Sequence, residues 1–139
     1  MQPLEMLELL QEAPEKEVLA LAREVRPALG SSQKLREGAG LLALPFEDSR
    51  TGTPFYVGEV LVYEVWLRFP KKGVEGYGMV LGEKPRLARA LAYLDAALQA
   101  GIAVEKIQAL ALAAQKDLQE EDERLWRKVA ATRLEVETL

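Results

Sequence analysis

The sequence contains no cysteine and no histidine. The first absence excludes disulfides, thiolate nucleophiles, iron–sulfur clusters and cysteine-based zinc sites. The second removes the commonest general base near neutral pH and the commonest metal ligand. Chemistry is left to carboxylates, Lys, Tyr and backbone amides, a thin inventory for an independent catalyst, so neither a metal site nor a cofactor of its own is expected. Asparagine is absent too, while Glu, Arg and Leu are plentiful, a thermophile-like bias against heat-labile side chains. Nowhere do about 18 uncharged apolar residues follow one another, as a membrane span requires. Met1-Gln2-Pro3-Leu4-Glu5 has no basic n-region of the kind that opens a signal peptide. The expected location is the cytoplasm, away from any membrane. An excess of positive charge is lacking as well: 18 Lys and Arg against 22 Asp and Glu leave a net charge of -4. No global field attracts nucleic acid, and only a local basic patch stays open.

What is present is 139 residues, 49% hydrophobic and 29% charged, the make-up of one globular domain, 1–139, large enough to bury a core. Leu4, Leu7 and Leu10 recur at helical spacing, Ala13-Pro14 interrupts, and Val18, Leu21, Val25 and Leu29 form a second stripe. Gly30 ends this helix pair. Gln33 to Arg36 and Leu41 to Phe46 flank Glu37-Gly38-Ala39-Gly40, a glycine-bearing connection of hairpin length, which predicts two short strands. Phe55 to Phe69 is the clearest strand: Val57, Leu61, Tyr63, Val65, Leu67 and Phe69 share the core parity, and Glu64 and Arg68 the other. Gly76 to Leu81 follows Pro70-Lys71-Lys72-Gly73 as an antiparallel strand. After Gly82 to Pro85, Leu87, Leu91, Leu94 and Leu98 stripe a helix that Gly101 closes. The expected fold is α+β: an antiparallel sheet of about four strands with an N-terminal helix pair, a helix after the sheet and a long C-terminal helix.

That last helix, 104–139, reads as an arm. About 34 residues at 1.5 Å each span roughly 50 Å, whereas a compact chain of this length is about 37 Å across. Either it breaks at Gln119-Glu120-Glu121-Asp122 and folds back, or its far end, with Leu125, Trp126 and Val129, packs on another chain.

Few constellations invite chemistry. Gly76-Tyr77-Gly78-Met79-Val80-Leu81-Gly82 lacks the spacing of a dinucleotide fingerprint and the Gly-Lys-Ser/Thr of a P-loop, and Glu83 adds negative charge where an anion belongs. These glycines read as strand glycines, with the amides after Gly82 left as a phosphate option. Glu59 shares parity with apolar neighbours and needs an explanation: a strand end reaching solvent, a carboxylate tying down Thr51-Gly52-Thr53-Pro54, or a catalytic base. Asp95, on the rim of the helix stripe, fits a hydrogen bond or salt bridge. Glu120 to Glu123 reads as a solvated face rather than a metal site.

Taken together, Thr51 to Val62 (T-G-T-P-F-Y-V-G-E-V-L-V), Gly76 to Gly82, Leu94-Asp95-Ala96-Ala97-Leu98 and the terminal Ala131 to Leu139 (A-T-R-L-E-V-E-T-L) resemble the PhnG family, a component of the bacterial carbon–phosphorus lyase system. The resemblance spans essentially the whole chain. It implies a subunit that acts with H, I, J and L-type partners in phosphonate breakdown. There a phosphonate is attached to C1′ of the ribose of ATP with loss of adenine, giving a ribose 1-phosphonate 5-triphosphate. No catalysis is credited to PhnG alone, so ATP and phosphonate are substrates of the complex only. The positions carried over for substrate or partner contact are Thr51, Gly52, Gly58, Glu59, Gly82, Asp95, Arg133, Glu135 and Thr138; Leu125, Trp126 and Val129 are the interface candidates. Departures from the family pattern include Ser49-Arg50, Tyr56, Glu64, Glu83-Lys84 and Arg89, several of which reverse charge. The alternatives are a homodimeric interaction domain serving another assembly, or a small nucleotide-binding module built on Glu59 and Gly82.

Overall fold

The structure, a computed structural model, describes residues 2–47 and 54–137, with side chains for 2–43 and 58–130. The chain runs α1 (Pro3–Leu10), α2 (Glu15–Leu29), β1 (Gln33–Glu47), β2 (Pro54–Phe69), β3 (Val74–Leu81), α3 (Pro85–Ala100) and α4 (Val104–Glu137). Proline and glycine punctuate it by known rules. Pro3 and Pro85 sit in the first turns of α1 and α3, where the missing N–H costs nothing. Pro14 stands at the N-cap of α2, its carbonyl accepting from the Val18 amide at 3.2 Å. Pro27 is tolerated in the last turn of α2, which ends at Gly30. Gly101 is left-handed, and the Ile102 amide returns to the Ala97 carbonyl at 2.8 Å to close α3.

The strands form one antiparallel sheet in the order β1-β2-β3. Among the described residues it has three strands and not the expected four. Glu37-Gly38-Ala39-Gly40 is no hairpin connection: it lies inside β1, with Glu37 opposite Val65 and Gly40 opposite Val62. A glycine pair weakens a strand, but β2 is 16 residues long and offers a continuous ladder to a 15-residue partner. Register shifts at Lys34/Arg36 and Leu44/Pro45 absorb the irregularity.

The helices cover one face. α3 lies on β3 and β2, α2 packs beside α3, and α1 sits against α4 and α3. The approach of α3 to β3 is unusually close: a Cβ on Gly76 would stand 2.0 Å from the Ala92 carbonyl oxygen, and one on Gly78 2.1 Å from that of Ala88. Gly76 and Gly78 are therefore strand glycines of a particular kind, the places where helix backbone meets strand backbone. Beneath and beside this contact, Val65, Leu67, Phe69, Val80, Leu87, Leu91 and Leu94 join Met6, Leu10, Val18, Val25, Leu29 and Ile107 in one buried cluster. Each large member contributes about 1.5–3 kcal/mol by leaving water.

The parity of β2 holds only over part of its length. Val65, Leu67 and Phe69 are buried and Tyr63 half-buried, as expected, but Leu61 is exposed and Val62 is buried instead. The reason is the extent of β3, whose pairing stops at Val62↔Leu81. Further along, β2 has only β1 beside it, and the two run on as a ribbon past the helical layer, with Leu41 opposite Leu61 and both in solvent. Val57 lies where side chains are not described.

The final helix does not break at Gln119 to Asp122. It is continuous over 34 residues and packs on α1 and α3, so it does not fold back on the sheet. Ile107, Ala111 and Ala114 are buried, whereas every residue from Lys116 to Ala130 is exposed.

The close helix–strand approach makes a signed prediction. Gly78→Ala has no room and is expected to destabilise the fold by about 1–3 kcal/mol or more. Gly38→Ala, which meets nothing within 4 Å, is expected to be neutral or stabilising by up to about 1 kcal/mol. Urea unfolding of the two variants beside the parent reads the difference.

Candidate functional site

The residues singled out from the sequence do not converge on one pocket. Glu59 is exposed on the β1–β2 ribbon, opposite Ala43, so it is a strand position that reaches solvent. Thr51 and Gly52, the turn expected beside it, lie outside the described residues. Gly58 is opposite Leu44, beside the second register shift. Gly82 turns the chain from β3 towards α3 at φ +87°, and its amide donates to the Leu61 carbonyl at 2.6 Å. That bond brings Gly82 and Glu59 to the same end of the sheet. It also occupies the amide of Gly82 itself, whereas the amides expected to face a phosphate are those that follow it.

Asp95 is at the opposite margin and has a different task. β3 is an edge strand, and an edge leaves backbone groups unpaired. The Tyr77 amide donates to Asp95 Oδ2 at 2.8 Å, while Gln99 Nε2 donates to the Glu75 carbonyl at 2.7 Å and to Asp95 Oδ1 at 3.2 Å. α3 thus closes the edge with two side chains one turn apart. Arg133 and Glu135 lie in the last turns of α4, where side chains are not described, and Thr138 lies outside the described residues.

Sequence reasoning misses the carboxylates that organise the sheet. Glu37, expected in a turn, sits in β1 with its side chain only 14% exposed. It accepts from Tyr63 Oη at 2.9 Å and from Arg89 Nη2 at 2.7 Å, so it ties β1, β2 and α3 together. The hydrogen bond from Arg89 holds the Glu37 carboxyl below the usual range against the opposing effect of burial, and the same carboxylate pushes the Tyr63 phenol up. On the uncovered face, Glu64 accepts from Tyr77 Oη at 2.7 Å and pairs with Arg36 at 2.6 Å. Glu75 accepts from Trp66 Nε1 at 3.0 Å and from both Nε and Nη2 of Arg68. Trp66 and Tyr77, opposite one another on β2 and β3, meet edge to face with centroids 6.5 Å apart. Burial, then the bond to Glu64, pushes the Tyr77 phenol up to about 12. Each of these carboxylates is bound to donors that it locks in place, and the two phenols that donate to them, Tyr63 and Tyr77, are pushed up rather than towards the phenolate a nucleophile needs. The signal that could have found them is the pairing of β1 with β2, which places Glu37 beside Tyr63 once the glycines are read as strand.

A further uncovered feature is the arm. Leu125, Trp126 and Val129 are 59%, 70% and 51% exposed, with Leu118 on the same side two turns earlier. A helix that carries leucine, tryptophan and valine into solvent has an apolar face suited to burial on a partner. The ion pair between Arg127 and Glu123 on this arm, at 3.9 Å, is well solvated and contributes little. Among the described residues no group of acidic side chains is placed to hold a metal ion, and no helix is long and apolar enough to cross a membrane.

The family model described as phosphonate metabolism protein PhnG matches residues 4–139. No curated protein matches the chain.

Two outcomes are expected from the side-chain network. Because the Glu37 pKa is lower folded than unfolded, its stabilising contribution is complete above the unfolded value, roughly 4.3. It is lost as pH falls through the depressed folded value. Carbon-detected NMR titration should find the Glu37 carboxyl titrating below free glutamate, and Arg89→Met should move it upward; an unmoved titration contradicts the pairing. Asp95→Ala should cost about 1–3 kcal/mol in denaturant unfolding, because it leaves the Tyr77 amide without its acceptor. It should also speed amide exchange at Tyr77 selectively.

Proposed function

The chain belongs to the PhnG family of phosphonate metabolism proteins, and from that premise we propose that it is a non-autonomous subunit of a carbon–phosphorus lyase core complex. In this reading it supports formation of ribose 1-phosphonate 5-triphosphate from ATP and a phosphonate, with the bond-making groups supplied by H, I and L-type partners and a J-type subunit as a further member of the complex. Adenine leaves C1′ as a phosphonate oxygen bonds there. The chain contributes no cofactor and binds neither nucleic acid nor membrane.

The observation that carries the reading is the arm: a helix whose first turns are anchored by Ile107, Ala111 and Ala114, and whose exposed half presents Leu125, Trp126 and Val129. The chemistry of the remaining side chains supports it, since the described carboxylates of the sheet act as structural acceptors and the sequence holds neither His nor Cys. Arg133, Glu135 and Thr138 follow in sequence after the exposed half of the arm, Gly58 and Glu59 belong to the projecting ribbon, and Thr51 and Gly52 precede β2 in sequence. Both groups are contacts to partners in this proposal. Gly82 and Asp95 serve by shaping the sheet ends from which ribbon and helix depart.

Reconstitution tests it. The isolated chain with ATP and methylphosphonate should release no adenine, the full set of subunits should release it, and omission of this chain should abolish release. Trp126→Asp with Val129→Asp should abolish co-assembly with the other subunits while changing the stability of the isolated chain by no more than about 0.5 kcal/mol, as expected for exposed sites. Adenine release by the isolated chain, or assembly undisturbed by the double substitution, contradicts the proposal. So does light scattering that finds a homodimer held through α4 which excludes the other subunits.

A further inference from the structure

Arg23 and Arg26 are one turn apart on α2, Arg86 and Arg89 one turn apart on α3, and the packing of the two helices turns both pairs into a single cleft of about 180 Å³. Leu19 and Tyr93 line its apolar wall. We infer that this cleft is a binding site for a small, multiply charged oxyanion: phosphate or the oligophosphate tail of a nucleotide.

The charge balance is the first reason. The chain as a whole is negative, with 18 basic against 22 acidic residues, yet four of those cations share one small cavity. Their neutralisation is incomplete. Arg89 is held by Glu37 at 2.7 Å, and the Arg26 guanidinium carbon rests 5.6 Å from the centre of the Tyr93 ring. Among the described residues Arg23 and Arg86 have no ion pair and no hydrogen-bonded acceptor for the side chain. Like charges gathered in a concave, partly apolar site repel one another and focus a positive potential, which a bound anion relieves.

The choice of cation is the second reason. All four are arginine although the chain also uses lysine freely. A guanidinium offers a planar fork that pairs with two oxygens of one phosphate, whereas an ammonium acts as a point charge. A carboxylate satisfies one such fork with a single charge. Several forks converging on one open cleft of about 180 Å³ match a ligand with more oxygens and more charge, and the small volume matches a compact group rather than an extended acidic peptide. Two of the four are already positioned, Arg89 by Glu37 and Arg26 by Tyr93, so less side-chain entropy is lost on binding. The inference does not depend on membership of a complex.

The test uses the full chain at low ionic strength, titrated with inorganic phosphate, tripolyphosphate and ATP by calorimetry and by NMR of the arginine Nε–H groups. One site per chain is expected, with tripolyphosphate tighter than phosphate and ATP similar to tripolyphosphate, and with shifts centred on Arg23, Arg26, Arg86 and Arg89. Arg23→Gln with Arg86→Gln, both exposed positions, should weaken tripolyphosphate by about tenfold or more. Lys71→Gln with Lys72→Gln, which removes the same charge from the β2–β3 turn, should change it by less than about twofold if the effect is local rather than a screened field. Four results overturn the inference: no saturable tripolyphosphate binding, equal weakening by both double substitutions, ATP binding without tripolyphosphate binding, or uptake of a glutamate-rich peptide in preference to any oligophosphate.

Discussion

Helix α3 lies directly on strand β3, backbone against backbone, because Gly76 and Gly78 present no side chain where the carbonyls of Ala92 and Ala88 come down. Van der Waals contact of this kind tolerates no added atom. It sets the height and the rotation of α3 together. At that height Asp95 and Gln99 reach over the rim to the outer backbone groups of β3. With that rotation Leu87, Leu91 and Leu94 point into the cluster shared with α1, α2 and α4. Arg89 meets Glu37 of β1, so even the far strand is referred to the same helix.

The compact part of the molecule ends where this layer ends, and two elements continue beyond it. The β1–β2 ribbon passes the last pairing of β3 and carries Leu41 and Leu61 into solvent. The second half of α4 passes α1 and carries Leu125, Trp126 and Val129 outward. Both are regular, hydrogen-bonded structures with exposed apolar residues, which is the form expected of surfaces completed by other chains. The arginine cleft between α2 and α3 is of the opposite kind: concave, cationic and formed entirely within the helical layer.

Much of this is legible in the residues. The helices follow from stripes such as Val18, Leu21, Val25 and Leu29, and their limits from Pro14, Gly30, Pro85 and Gly101, because capping and proline geometry are local. The extent of α4 is legible as a stretch without breakers. The glycines of β1 mislead for a physical reason: Gly38 and Gly40 are compatible with a turn and with an extended strand, and only the ladder offered by β2 decides between them. The same ambiguity hides Glu37, and the shortness of β3 undoes the parity at Leu61 and Glu59. Gly76 and Gly78 are recognisable as strand glycines, but the contact that requires them lies on a helix that begins after the strand has ended.

The amino-acid sequence alone determined the helices, the strands apart from Glu37 to Gly40, the absence of His and Cys, and the length of the last helix, since each depends on composition, on near-neighbour periodicity or on length. Only the tertiary structure decided how many strands the sheet has, which carboxylates hold it and where the arginines gather. Those outcomes depend on which elements come side by side. Two arginine pairs, each an ordinary feature of one helix, become a single positive cavity only when packing turns them towards each other.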